Sequence, residues 1–267
     1  RLLHTSIAPQ TTPLDKDPKA LHWAFQELGR HNLLGLKVAP EWGGQGWDSK
    51  AVYQFTEQLA RYSGALVFLQ SQHQRCVQEL VNSDNLELKE RYLGGAIAGR
   101  IGLGVGFSHL RRVQQPVVAK ETAGGYLFTG TVPWITGFGI FEHWMLAAQL
   151  PDGRAVFVLA PFYATEDCLN FSEPMELAAL GSTLTVTATL QNWFASEELV
   201  LDIKPVGWIQ RADMGYPLTH NFFALGCAQA GLDILEKAQS SGISEVGAAY
   251  KRLQNEVSQC RHATYGT

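Results

Sequence analysis

The chain has 267 residues, of which 46% are hydrophobic and 17% charged, with a formal net charge of −4. This length and balance suit one large globular unit or two smaller ones with real cores and exclude a disordered chain. A weakly acidic chain with no Lys/Arg block is a poor nucleic-acid binder, and no run of about 18 apolar residues marks a membrane span. The opening RLLHTSIAPQ lacks an initiator Met and the apolar core of a signal peptide, so the natural chain is expected to begin earlier. Cys76, Cys168, Cys227 and Cys260 form no C-x-x-C, which points to a reducing compartment, the cytoplasm, and away from structural zinc or a disulfide framework.

Residues 18–95 read as helical with one interruption. DPKALHWAFQELGRHNLLGL places Pro18 in a first-turn position and Leu21, Phe25 and Leu28 at helical spacing, and Gly29 or Gly35 can end that helix. APEWGGQGWDS is a loop, closed by an Asp48/Ser49 cap ahead of one long helix through KAVYQFTEQLARYSGALVFLQSQHQRCVQELV. Gln70, Gln72, His73 and Gln74 read as the solvated end of that helix. NLELKERYLGGAIAG is a short helix ending on glycines.

From about residue 100 the period changes. RIGLGVGF, PVVAKETAGGYLFTGTVPWITG, HWMLAAQLPDGRAVFVLAPF and STLTVTATLQNWFAS are rich in β-branched and aromatic residues. Turn signals at Ala123-Gly124-Gly125, Pro151-Asp152-Gly153 and Ala179-Leu180-Gly181 separate them, and the Asp-Gly between two apolar runs predicts a hairpin. After Pro205 helices return in HNFFALGCAQAGLDILEKAQ and ISEVGAAYKRLQNEVSQCRHA, the first with an apolar stripe of Phe222, Phe223, Leu225, Leu232 and Leu235. The expected organisation is α+β: helices over 1–98, a β module over 99–205 and helices over 206–267. No G-x-G-x-x-G opens a helix after a strand, which argues against a dinucleotide-binding βαβ fold.

Four stretches, in order across roughly residues 20–240, resemble landmarks of the acyl-CoA dehydrogenases. LGLKVAPEWGGQG is similar to the family's Pro-Glu-aromatic-Gly-Gly-x-Gly loop, and LELKERYLGGAIAG to its Lys-x-x-Tyr-Leu helix. GGYLFTGTVPWITG is similar to the strand that reaches Trp-Ile-Thr or Trp-Ile-Ser, and LAALGSTLTVTATLQNWFAS to the Leu-Gly-x-Ser/Thr strand that closes the barrel. The resemblance implies an N-terminal helical domain, a middle antiparallel β-barrel and the start of a C-terminal helical bundle around FAD. It also implies a homo-oligomer whose C-terminal domains pair, with an electron-transfer flavoprotein as electron acceptor. A flavin ring is flat, apolar on its faces and polar along one edge, so its site needs a large flat side chain and hydrogen-bond donors. Trp134 and Thr136, two apart in a strand and so expected on one face, supply these around Ile135. The bland alternative is that Trp134 is barrel core and Thr136 a turn hydroxyl.

Two features depart from the family pattern. Where its Thr-Glu-Pro…Gly-Ser-Asp stretch falls, this chain reads GLGVGFSHLRRVQQP. Val105 and Gly106 replace Thr-Glu, leaving backbone N–H groups to serve the cofactor. Ser108 and His109 are the nearest polar replacements, and Arg111 is a candidate for binding a phosphate or carboxylate bidentately, with a solvated basic turn as the alternative. One of the family's two locations for the catalytic Glu, counted ten residues back from Gly226, falls on Tyr216, with Asp213 the nearest acid, and the other lies beyond Thr267, so the catalytic base is unknown; His220 is a base by type, with a satisfied boundary histidine as the alternative. Three functions follow. The first is an FAD-dependent oxidoreductase acting on a CH–CH bond of an acyl thioester such as an acyl-CoA. The second is a flavin-dependent monooxygenase-like member of the superfamily. The third is a non-catalytic relative acting as a binding subunit.

Overall fold

The computed structural model describes residues 2–165, 167–215, 219–239 and 244–266. Its N-terminal part is helical: α1 (Thr11–Lys16), α2 (Pro18–Arg30), α3 (Ser49–Tyr62), α4 (Gly64–Asn82) and α5 (Leu86–Ile97). Asp17 caps α2 by accepting the Lys19 N–H, and the expected Asp48 cap is present, accepting the Ala51 N–H. The one long helix expected over 50–81 is two helices. Ser63 takes an extended backbone and its Oγ accepts the Leu66 N–H, an N-cap that ends α3 and starts α4. Gln70 and His73 are buried rather than solvated, because α4 runs between two apolar clusters. It gives Leu66 and Leu69 to one and Val77 and Leu80 to the other.

Among the described residues eight strands follow: β1 (Leu103–Gly106), β2 (Val117–Thr122), β3 (Gly125–Ile135), β4 (His143–Gln149), β5 (Ala155–Pro161), β6 (Leu169–Phe171), β7 (Val186–Ser196) and β8 (Val200–Lys204). They form one sheet in the order β6-β7-β3-β2-β4-β5-β8, with β1 also beside β4. The β4–β5 pairing turns at Asp152-Gly153 as the sequence predicts. The sheet is mixed, however, not purely antiparallel. β5 takes one edge of β4, and the other edge is shared end to end by β1, paired at 103–106, and β2, paired at Val118. Both run parallel to β4, because the chain leaves β1 through the short turn at Ser108–Arg111 and continues in the same direction.

One imidazole ties the helices to this sheet. His73 Nδ1 accepts the Leu103 N–H at 3.1 Å, so the proton sits on Nε2, which donates to the Ala96 carbonyl at 3.2 Å. The ring also lies edge-on to Phe25 at 5.1 Å between centroids. Three helices return after the sheet: α6 (Trp208–Gly215), α7 (Thr219–Ala238) and α8 (Ser244–Tyr265). α7 lies close along α3: a Cβ on Gly226 would come within 2.2 Å of the Glu57 carbonyl oxygen. Phe222, Leu225 and Leu232 bury the apolar stripe, and Phe222 stacks on Tyr53 with centroids 4.1 Å apart. Arg61 grips Asp233 at 2.6 and 2.9 Å, and Glu57 accepts from both Arg261 and Tyr265 at 2.8 Å.

Burial lowers the His73 pKa from 6.5 to about 3, with the Ala96 hydrogen bond opposing. The unfolded chain therefore protonates this ring where the folded chain does not. The stabilisation is complete above the unfolded value and is lost as pH falls from 6.5 towards 3. His73→Gln is expected to flatten the acid limb of stability by up to about 1.4 kcal/mol per pH unit, roughly one proton, between about pH 4 and 6. Urea unfolding at a series of pH values reads this; an unchanged slope would show that His73 does not set it.

Candidate functional site

β3 is long and irregular, and its irregularities place the residues around Trp134. Its pairing with β7 slips between Phe128 and Gly130 and again between Val132 and Ile135. Gly130 has φ +130, and a Cβ there would meet the Pro116 carbonyl oxygen at 2.0 Å; that same oxygen accepts the Thr131 N–H. The second slip breaks simple alternation, so Trp134 and Thr136 do not share an environment. Trp134 is 55% exposed, Ile135 is core, and Thr136 is 5% exposed, just past the strand's last residue.

The chain then turns at Gly137, φ +98, where a Cβ would strike the Phe141 ring at 2.4 Å. The Gly137 N–H donates to the Thr183 carbonyl at 2.8 Å and the Phe138 N–H to the Leu184 carbonyl at 3.2 Å. These two bonds lay Thr136 against Thr185, with the hydroxyls 3.0 Å apart. Thr185 lies 3.4 Å from the Thr183 hydroxyl, which donates to the Leu180 carbonyl at 2.7 Å. Leu180 and Leu184 flank this turn with φ of +64 and +48, a conformation costing a branched side chain on the order of 1–3 kcal/mol each. α1 holds it in place: Asp15 accepts the Leu180 N–H and the Ser182 hydroxyl donates to the Leu14 carbonyl at 2.6 Å.

β1 lies against the end of β3. A Cβ on Gly104 would come within 3.2 Å of the Thr136 carbonyl oxygen, and one on Gly106 within 2.4 Å of the Trp144 ring. Gly106 is therefore required by the packing of Trp144, and Val105 packs against the second apolar cluster. On the turn after β1, Ser108 is exposed and His109 is buried. His109 Nε2 donates to the Ala147 carbonyl at 2.9 Å, and its Nδ1 is buried without a hydrogen-bond partner. Burial lowers its pKa to about 4, with Arg112 adding to the effect and the Ala147 bond opposing it. Arg111 is already paired, its Nε and Nη2 at 2.8 and 2.7 Å from the Asp213 carboxylate of α6. That hydrogen-bonded pair holds the Asp213 carboxyl below its ordinary range. Arg112 places its guanidinium 5.6 Å from the centre of the Trp134 ring.

The arrangement suits a flat heteroaromatic ligand. An indole this exposed, one residue from a core isoleucine, offers a ring face to a partner, and Thr136, two residues on and buried, carries a hydroxyl with spare hydrogen-bonding capacity. Thr183 falls at the Ser/Thr of the Leu-Gly-x-Ser/Thr landmark, but its part in this turn, and Thr185 altogether, escape the sequence analysis. The remaining signal is a Ser-Thr-x-Thr run in a strand-like stretch, where alternation predicts packing and not a hydrogen-bonded turn. Tyr216 lies outside the described residues, as does the side chain of His220.

The model of the acyl-CoA dehydrogenase N-terminal domain matches residues 1–100. Isovaleryl-CoA dehydrogenase, mitochondrial, from Solanum tuberosum is 26% identical over 206 residues, covering 73% of this chain and 50% of that protein. The chain thus spans about half the length of this curated relative. Among solved structures, glutaryl-CoA dehydrogenase from Mycobacterium smegmatis in complex with FADH2 superposes with a TM-score of 0.84 at 16% identity, over 99% of this chain and 70% of that one. A structure titled as the electron transferring flavoprotein of Acidaminococcus fermentans gives 0.82 at 15%, over 98% and 74%. At such identities the superpositions establish the fold.

Exposed Trp134 and buried Trp144 should separate sharply in stability. Trp134→Ala is expected to change the free energy of unfolding by no more than ~0.5 kcal/mol, and Trp144→Ala to cost ~3–5 kcal/mol. Guanidinium unfolding monitored by circular dichroism measures both. A Trp134→Ala cost matching that of Trp144→Ala would make Trp134 core.

Proposed function

We propose that this chain is a member of the acyl-CoA dehydrogenase family and an FAD-dependent oxidoreductase acting on a CH–CH bond of an acyl thioester, a reading supported by the match of residues 1–100 to that family's N-terminal domain and by the isovaleryl-CoA dehydrogenase relative. The observation that carries this reading is the exposed ring of Trp134 two residues before the hydrogen-bonded Thr136 hydroxyl, at the end of a strand whose course is fixed by Gly130 and Gly137. Trp134 and Ile135 supply apolar contact to the ring system, Thr136 hydrogen-bonds its polar edge, and the backbone of Val105 and Gly106 runs alongside. When bound, FAD supplies the acceptor for a hydride from the β-carbon of the substrate. The buried strand ends around Thr136 exclude water from that edge, which strengthens each hydrogen bond made there.

Proton removal from the α-carbon requires a base. Asp213 is a poor one, since two Arg111 donors hold its carboxylate. His109 is a poor one too, buried and with its pKa lowered to about 4. Ser108, exposed on the same turn, is assigned to the substrate. No helix among the described residues is long and apolar enough to cross a membrane. A homo-oligomer that passes electrons to an electron-transfer flavoprotein is part of the same proposal, supported by the family resemblance and by the likeness to the electron transferring flavoprotein of Acidaminococcus fermentans. A cytoplasmic location is supported by the four cysteines, all free.

The purified chain mixed with FAD is expected to retain flavin absorbance through gel filtration and to bleach anaerobically with an acyl-CoA. Trp134→Ala is expected to weaken FAD binding about five- to tenfold, the worth of roughly one aromatic stacking contact. A chain that stays colourless after reconstitution with FAD would overturn the reading.

A further inference from the structure

The three threonine hydroxyls behind the candidate ring edge can be accounted for proton by proton. The Thr183 proton is committed to the Leu180 carbonyl at 2.7 Å. The Thr185 proton then has two acceptors within reach, the Thr136 oxygen at 3.0 Å and the Thr183 oxygen at 3.4 Å. If it goes to the nearer, the Thr136 oxygen is filled from behind and the Thr136 proton must point elsewhere, towards a ligand. If it goes to the farther, Thr136 donates to Thr185 and presents lone pairs instead. The heavy atoms need not move between the two arrangements. The backbone bonds Gly137 N–H to Thr183 and Phe138 N–H to Leu184 hold both sides fixed.

We propose that Thr185 is a positioning residue: it sets the direction of the Thr136 proton, making Thr136 a donor to an acceptor edge of the bound ring and an acceptor when that edge carries a proton. The proposal rests on the reading of Thr136 as the flavin-edge hydroxyl. Its physical basis is burial. Thr136, Thr183 and Thr185 are all nearly inaccessible, so no water competes to orient these hydroxyls. The strained turn that carries Thr183 and Thr185 is anchored to α1 through Asp15 and Ser182, which keeps the relay at hydrogen-bond distance.

The test is a double-mutant cycle on the full chain, read by FAD affinity from the change in flavin absorbance and fluorescence, with thermal unfolding of the FAD-free chain as a control. Thr136→Val is expected to weaken FAD binding about five- to tenfold, the loss of one buried hydrogen bond. Thr185→Val is expected to weaken it by a similar factor, Thr185→Ser to restore it, and Thr136→Val/Thr185→Val to bind no worse than Thr136→Val alone. If Thr185→Val leaves affinity unchanged, or the two losses multiply, Thr185 does not act through Thr136; the proposal fails while the reading of Thr136 stands. If Thr136→Val has no effect on a chain that binds FAD, both fail. Should Thr185→Val lower the unfolding temperature without Ser restoring the affinity, the role is structural only and the proposal is likewise overturned.

Discussion

The candidate site depends on the two backbone hydrogen bonds that join residues 137–138 to 183–184, beyond the last regular rung of β3 with β7 at Ile135 and Val186. They bring together two segments 47 residues apart, Gly137 and Leu184. Each of those segments is held in a conformation it would not choose alone. On one side Gly137 needs a positive φ and an empty Cβ position against Phe141. On the other, two leucines sit in the left-handed region that branched side chains avoid. The cost is met by contacts from outside the sheet, chiefly α1 through Asp15 and the Leu14 carbonyl. A six-residue helix at the start of the chain thereby fixes a hydroxyl at the far end of a strand.

What the sequence makes legible follows from what local pattern encodes. Asp48 ahead of an apolar-periodic run reads as a cap because capping involves residues three apart, and Asp152-Gly153 reads as a hairpin for the same reason. Ser63 is harder. Ser-Gly inside a continuous helical pattern is compatible with an uninterrupted helix, and only the extended backbone at Ser63 shows the break. The parallel pairing of β1 and β2 with β4 is not encoded locally at all, since it joins strands separated by an intervening hairpin. His73 looks like a polar helix end in the sequence, yet it is buried because the Ala96 carbonyl and Leu103 N–H, which no neighbour in sequence predicts, require a partner. The Trp-Ile-Thr triplet and the Leu-Gly-x-Ser/Thr stretch are each legible as a motif; that Thr185 joins their hydroxyls is not, because it is set by distance across the sheet.

The charged groups show a consistent division of labour. Arg61–Asp233 and Arg261–Glu57 dock α7 and α8 onto α3 with two-point or networked geometry, and Gln229 links the two pairs by bonding to both Asp233 and Arg261. Arg111–Asp213 does the same between the turn after β1 and α6. The exposed Arg111–Asp213 pair adds little stability singly, but a bidentate fork fixes orientation, as it does in the part-buried Arg61–Asp233 pair. Their effect is therefore to set how the late helices sit on the early ones, which α3 and α7 reinforce with the Gly226 close approach and the Tyr53–Phe222 stack.

That division bears on how ring binding and proton transfer relate in this fold. The surface that suits a flat ring is built from backbone constraints: Gly130 and Gly137 admit almost no substitution without a clash and a left-handed side chain, and Leu180 and Leu184 already hold that conformation on either side of the turn at 181–183. Its polar edge is built from hydroxyls, which are uncharged near neutral pH and whose donor and acceptor roles are set by one another. The acid nearest the turn that follows β1, Asp213, belongs to a different layer, where it serves to hold α6. On the proposed function, binding a ring and abstracting a proton would thus draw on separate parts of the molecule. The first would be fixed by the geometry that joins Gly130 to Thr136 and Thr136 to Thr185, and the second would need a group other than the Asp213 carboxylate that Arg111 holds.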